Sequence, residues 1–157
     1  MRFPPPLVFL GSALIGFALG RYGSVAPLPL VPALRLWLAA TAFVIALCSL
    51  GPALFLLVRS GQDPEPWQPS PELILQGAYR FSRNPIYLGM MAAQIAAGLF
   101  LDNLWIAALS GLSLFLVHHI AVLPEERYLK HRFGEAYTRY MAAVPRYLFR
   151  WGARLKP

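Results

Sequence analysis

Along most of this chain apolar residues come in unbroken blocks rather than at the three-to-four spacing of a helix with one buried face. Residues 7–22 are apolar apart from Ser12 and Arg21. This block is short against the roughly 20 residues a bilayer asks of a helix, and is read as a first span. Residues 23–32 carry Pro27, Pro29 and Pro32 and predict a tight connection, because proline removes a donor and blocks a helix interior. Residues 34–58 form the clearest span, bounded by Arg35 and Arg59, with a kink expected at Gly51-Pro52. Residues 60–71, SGQDPEPWQPSP, contain four prolines and read as a linker, and residues 72–81 as a short surface helix.

Residues 85–101 give a third span, entered through Asn84 at the N-cap and Pro85 at the first helical position. Gly89, Ala93 and Ala97 recur at intervals of four, a pattern that lets another helix approach closely in lipid. Asp102-Asn103 makes a two-residue turn into a fourth span, residues 104–123, broken only by Ser110, Ser113 and the pair His118-His119. After Pro124 the pattern changes. Leu129, Phe133, Ala136, Tyr137, Tyr140 and Val144 share one helical face, with Arg127, Lys130, His131, Glu135 and Thr138 opposite. That is an amphipathic helix lying on a membrane surface, with Glu126–Lys130 and Glu135–Arg139 as weak i,i+4 pairs.

The expected fold is therefore all-α: an integral membrane helical bundle of about four transmembrane helices plus a C-terminal amphipathic surface helix. It divides into a two-helix membrane anchor (1–59), a Pro-rich cytoplasmic linker (60–71) and a core (72–157).

Composition supports a membrane protein: 57% of residues are hydrophobic and 13% charged, against about 25% charged in soluble domains. The 14 Lys and Arg outnumber the 7 Asp and Glu. Eight of the basic residues follow Pro124, directly after a span, where anionic lipid accounts for them without nucleic acid. Counted by side of four spans they divide 12 to 2, only Arg21 and Arg35 falling on the far side, so both termini are expected in the cytoplasm. Arg2 with the apolar run behind it imitates a signal peptide, but an uncleaved first span fits this topology. Cys48 is the single cysteine, which excludes a disulfide framework and a thiolate metal site.

Chemistry concentrates at Gly77–Gly89 (GAYRFSRNPIYLG), where polar residues open a span. The free N–H groups and positive end of that helix, beside Arg83, suit a carboxylate or phosphate, with Tyr87 one turn further in. Snorkelling of Arg83 to headgroups and an interfacial role for Tyr87 account for the same residues. Glu125 aligns with the apolar face of the last helix and should point inward, where a carboxylate needs a partner, whereas Glu126 can serve Lys130. His118 lies seven residues before Glu125 and shares its face if the helix runs straight, which Pro124 can spoil. Neither His118 nor His119 has the spacing of a zinc helix, so no metal is expected. There is no glycine-rich phosphate loop and no G-x-S-x-G elbow.

Gly77-x-Tyr79-x-x-x-Arg83-Asn84-Pro85-x-Tyr87-x-Gly89, then Glu125-Glu126-x-x-Leu129, Phe133-Gly134-x-x-Tyr137-x-x-Tyr140 and Val144-Pro145-Arg146, together resemble the isoprenylcysteine carboxyl methyltransferase and phospholipid methyltransferase superfamily. The resemblance spans residues 72–147. It implies an integral membrane enzyme using S-adenosylmethionine, held on the cytoplasmic side by Tyr79, Arg83, Asn84, Tyr87, Gly89, Glu125 and Glu126. Asn84 stands where many carboxyl methyltransferases of that superfamily carry His, which leaves the acceptor open among a carboxylate, an amine and a thiol on a lipid-like or small apolar molecule. His118 is the candidate base for an acceptor that must lose a proton, and Arg146 the residue that steers an anionic substrate. A nicotinamide-dependent membrane reductase and a non-enzymatic membrane scaffold are the alternatives; the oligomeric state is left open.

Overall fold

A computed structural model describes residues 4–23, 28–61 and 73–148. Most of the 60–71 linker and part of the 23–32 connection lie outside the described residues, as do Arg2, Glu72 and the tail cations Arg150, Arg154 and Lys156. The described chain is helical: α1 (Pro5–Tyr22), α2 (Pro32–Arg59), a 3-10 turn (Gly77–Arg80), α3 (Pro85–Phe100), α4 (Leu104–Val117), a π-helical turn (His118–Val122) and α5 (Leu123–Ala143). Proline opens α1, α2 and α3, where its missing N–H is one the helix does not use. Pro5–Tyr22, Pro32–Arg59 and the continuous Leu104–Ala143 are long and apolar enough to cross a membrane, with α3 a shorter apolar helix of 16 residues. The protein is thus a multi-pass helical membrane protein, as the apolar blocks predict.

The helices pack in the order α2, α3, α4, α1, so the α3–α4 hairpin is flanked on one side by α2 and on the other by α1. Lipid-facing side chains such as Leu14, Trp37, Phe43 and Phe115 are exposed around this bundle. Close approach sets the hairpin: a Cβ built on Gly98 would lie 2.5 Å from the Ala107 nitrogen and 2.9 Å from its Cα. At the same end Asn103 caps α4 by accepting from the Ile106 N–H at 3.1 Å, while its amide donates to the Gly16 carbonyl of α1. Arg35 of α2 donates to the Leu99 carbonyl of α3 at 3.1 Å and pairs with Asp102 at 3.5 Å, so a charged side chain answers the negative end of α3.

Halfway along, a polar cluster crosses the interior. Gln94 of α3 donates to Ser12 of α1 at 3.1 Å and to the Ile106 carbonyl of α4 at 3.1 Å, and Ser113 of α4 is hydrogen-bonded to Ser12. Without water, a buried amide must find its partners within the protein, and Gln94 finds them on both neighbours.

Two expectations change. The surface helix over 72–81 reduces to the single 3-10 turn, because Gln76 is extended and Gly77 has φ 57°, which no helix continues. The C-terminal amphipathic helix is not one straight rod. Gly134, at φ 54° and ψ −120°, breaks α5 so that Tyr137, Tyr140 and Val144 cluster with Leu73, Leu129 and Phe133.

Gly98→Ala should destabilise the hairpin by about 1–3 kcal/mol, since backbone must move to admit the methyl. Gly111→Ala, which adds a Cβ with nothing within 4 Å, should leave stability unchanged or raise it. Thermal unfolding of both variants in the same detergent compares them directly.

Candidate functional site

The site forms where α3 begins and where α4 passes through the π turn into α5. Pro124 cannot donate to the turn before it, and the chain widens there: the Leu123 N–H reaches back five residues to the His118 carbonyl. The wider turn shifts the register of α5 against α4. The straight alignment of His118 with Glu125 is therefore not formed, and the His118 Nδ1 instead sits 2.9 Å from the Tyr147 hydroxyl.

After α5 the chain folds back as a strap, residues 144–148, over the loop that precedes α3. The Arg83 N–H donates to the Pro145 carbonyl at 3.0 Å; the Ser82 hydroxyl and the Asn84 amide both donate to the Arg146 carbonyl, at 3.1 and 3.0 Å. Asn84 stands at the N-cap position, yet its side chain does not cap α3; it binds the strap. The helix end beside Arg83 thus has uncapped backbone donors. The Tyr140 hydroxyl adds a further tie by donating to the Tyr79 carbonyl at 2.7 Å.

Beneath the strap lies an ion cluster. Glu126 is buried, with one oxygen 2.8 Å from Arg83 Nη1 and 3.0 Å from Arg146 Nε, and the other 2.7 Å from Arg146 Nη2. The expected Glu126–Lys130 pair is absent among the described residues, because two guanidiniums outcompete one exposed ammonium across a solvated helix face. The hydrogen bond to Glu126 holds Arg146 above its ordinary pKa, so it stays charged throughout. The Arg83 side chain is only 10% exposed; its Nη1 is taken by Glu126, and its buried Nε lacks a hydrogen-bond partner among the described residues.

Glu125, beyond the apolar run that ends at Leu123, faces the Tyr87 hydroxyl. It keeps some accessible surface although protein surrounds it. Burial, then the Glu126 charge, raise its carboxyl to about 7, while the Tyr87 hydroxyl works the other way. Burial and the Glu125 charge push the half-buried Tyr79 phenol far up. The Tyr87 ring packs with Phe9, Val117 and Val122, so α1 and the π turn hold it in place.

The structure therefore gathers Tyr79, Arg83, Asn84, Tyr87, Glu125 and Glu126 at one end, with Arg146 and His118 on the strap side. It does not bring Gly89 to them. A Cβ there would meet Leu50 and the Ala46 carbonyl of α2, so that position serves helix contact instead of the ligand face expected of it. Sequence reasoning missed Ser82, Tyr137 in its position facing Arg83, and Tyr147. Alternation along α5 marked Tyr137 as inward; nothing in the sequence marked Tyr147.

Fold and site define a multi-pass helical membrane protein with a cluster of charged and aromatic side chains at one end of its bundle. The chain belongs to the phospholipid methyltransferase family, whose sequence model matches residues 34–136, roughly two-thirds of its length. Methyltransferases of that family use S-adenosylmethionine. The match begins in α2, earlier than the motifs that first suggest it. Comparison with curated proteins and with solved structures gave no significant match.

Removing Glu126 leaves the buried Arg83 without its carboxylate and facing the partly exposed Arg146, so Glu126→Ala should cost about 3–5 kcal/mol. Arg146→Ala should cost far less, since its side chain is 37% exposed and Arg83 remains to pair with Glu126. Equal losses in thermal unfolding would contradict this hierarchy.

Proposed function

We propose that this chain transfers methyl groups from S-adenosylmethionine to the amino headgroup of a phospholipid at the cytoplasmic face of its membrane. The observation that carries the reading is Arg83: a buried guanidinium that Glu126 answers at Nη1 but whose Nε is unfilled, beside a helix N-terminus with no side-chain cap. Leaving a buried donor unfilled costs roughly 1–3 kcal/mol, and a carboxylate ligand supplies the acceptor it lacks. The methionine part of the cofactor has such a carboxylate, and its ammonium and ribose hydroxyls suit Glu125, so the residues present fit the group.

When bound, the cofactor supplies an electrophilic methyl on a sulfonium. Arg83 and the first N–H groups of α3 hold its carboxylate; Glu125 fixes the hydroxyl or ammonium side, and Tyr87 fixes Glu125. Alignment and exclusion of water are the main contributions asked of the protein in such a displacement. The family description supports a phospholipid acceptor. Arg146 commits Nε and Nη2 to Glu126, which leaves Nη1 for a lipid phosphate. An amine has to shed a proton before it can attack, and His118, beside the strap, is the base this reading assigns to it. The 12 to 2 division of basic residues supports a cytoplasmic site, because Arg59, Arg80, Arg83 and Arg146 lie at its end of the bundle while Arg35 lies at the other.

Titration calorimetry with the demethylated cofactor should give binding in the micromolar range, and Arg83→Ala should weaken it by tenfold or more. Protection from heat by S-adenosylmethionine but not by NADPH separates this reading from a reductase, and protection by neither would favour a scaffold. Glu125 is mostly protonated at pH 6 and mostly ionised at pH 8, given its value of about 7. Affinity should therefore rise by up to about tenfold between those values, and Glu125→Gln should be weak and flat across them. A pH-independent wild type would remove Glu125 from the ligand.

A further inference from the structure

Tyr147 sits on the strap two residues after Pro145, and its hydroxyl lies 2.9 Å from Nδ1 of His118, with ring centroids 5.9 Å apart. The strap is fixed immediately before that contact. Its backbone is held by Arg83, Ser82 and Asn84, and its Arg146 side chain is locked onto Glu126. His118 stands at the start of the π turn, half-buried, where a widened turn rather than a straight helix sets its direction. With Nδ1 occupied, Nε2 is the nitrogen left for a substrate. The charged and titratable groups facing the ring are Arg146 and Glu126 from the strap and α5, and His119 from its own turn.

We propose that Tyr147 is a positioning residue for proton removal: its oxygen accepts from Nδ1–H of His118, fixing the tautomer in which Nε2 carries the lone pair and faces the acceptor amine. This rests on the amine reading above. In the step itself an N–H bond of the headgroup ammonium breaks and an Nε2–H bond forms. The electron pair of the broken bond stays on the amine nitrogen and becomes its nucleophilic pair. The imidazolium so formed keeps its Nδ1–H···O bond and later releases the Nε2 proton to water. An ammonium has no lone pair, so each methylation needs one such transfer. Burial pushes the Tyr147 phenol up to about 12 against the opposing Arg146 charge, so Tyr147 stays neutral and does not compete as the base.

The chain has three histidines, so ring signals from nitrogen-15 histidine label in the full-length protein can be assigned with His119→Asn and His131→Asn. Long-range proton–nitrogen correlation on the unliganded protein should show His118 as the Nδ1–H tautomer, and Tyr147→Phe should convert it to a mixture. Finding Nε2–H in the wild type, or the same spectrum in Tyr147→Phe, overturns the proposal. Kinetics in nanodiscs containing phosphatidylethanolamine give the second readout. Tyr147→Phe should lower kcat about tenfold and move the acid limb of the rate profile to lower pH, because an oxygen accepting from Nδ1–H favours the protonated ring. Affinity for the demethylated cofactor should stay within twofold. An unchanged profile, or a loss confined to cofactor affinity, counts against Tyr147 alone. If the wild type binds the cofactor but labels no amine lipid, the amine reading falls and this inference falls with it.

Discussion

A carboxylate cannot lie under protein at a membrane surface without cations to answer it, and Glu126 is answered twice. Its two guanidinium partners come from opposite ends of the site, Arg83 from the loop before α3 and Arg146 from the strap after α5. That one charge joins segments more than 60 positions apart in sequence, and the backbone bonds from Arg83, Ser82 and Asn84 to the strap follow the same seam. Desolvating three ions is costly, and the cluster is tolerable because one carboxylate receives bidentate and monodentate partners together. The cost also falls unevenly: Arg146 reaches partial solvent, whereas Arg83 does not, so the one unfilled donor, Arg83 Nε, ends up on the side away from water.

The transmembrane part supplies the rigidity that this seam needs. α3 is only 16 residues long, about 24 Å at 1.5 Å per residue, and would be a poor span alone. It is held by α2 along one side and α4 along the other, through contacts at Gly89 and Gly98 that admit no side chain. Tyr87 then carries this packing to the polar end, with its ring among Phe9, Val117 and Val122 and its hydroxyl toward Glu125.

Much of this was legible from residue order, and the limits have physical reasons. Apolar blocks, prolines at helix starts and the Asp102-Asn103 turn reported the spans, because a bilayer leaves little choice of backbone structure. Arg83, Glu125 and Glu126 were found by type and position. Their pairing was not: helical periodicity places Glu126 beside Lys130, and only a chain reversal at Val144 brings Arg146 nearer. Gly89 was assigned to a ligand since it lies among ligand-type residues, but on a helix the neighbour in sequence faces elsewhere, and its face belongs to α2. The π turn had a visible cause in Pro124 without a visible outcome, since a proline can kink, break or widen a helix.

The cluster of Gln94, Ser12 and Ser113 also bears on how the chain is made. α1 is synthesised before α3 and before the helix it packs against, α4, so Ser12 enters the bilayer before Gln94 exists. Its hydroxyl is not stranded in the interval, because it can donate to the Phe9 carbonyl within its own helix at 2.9 Å. Gln94 has no such local recourse, but Ser113 and the Ile106 carbonyl follow it within 19 residues, close enough for the α3–α4 hairpin to be threaded into lipid as one unit with its amide already covered. The first helix can then wait in the membrane as a docking post, its hydroxyl covered within its own helix and free to accept from Gln94 when the hairpin arrives.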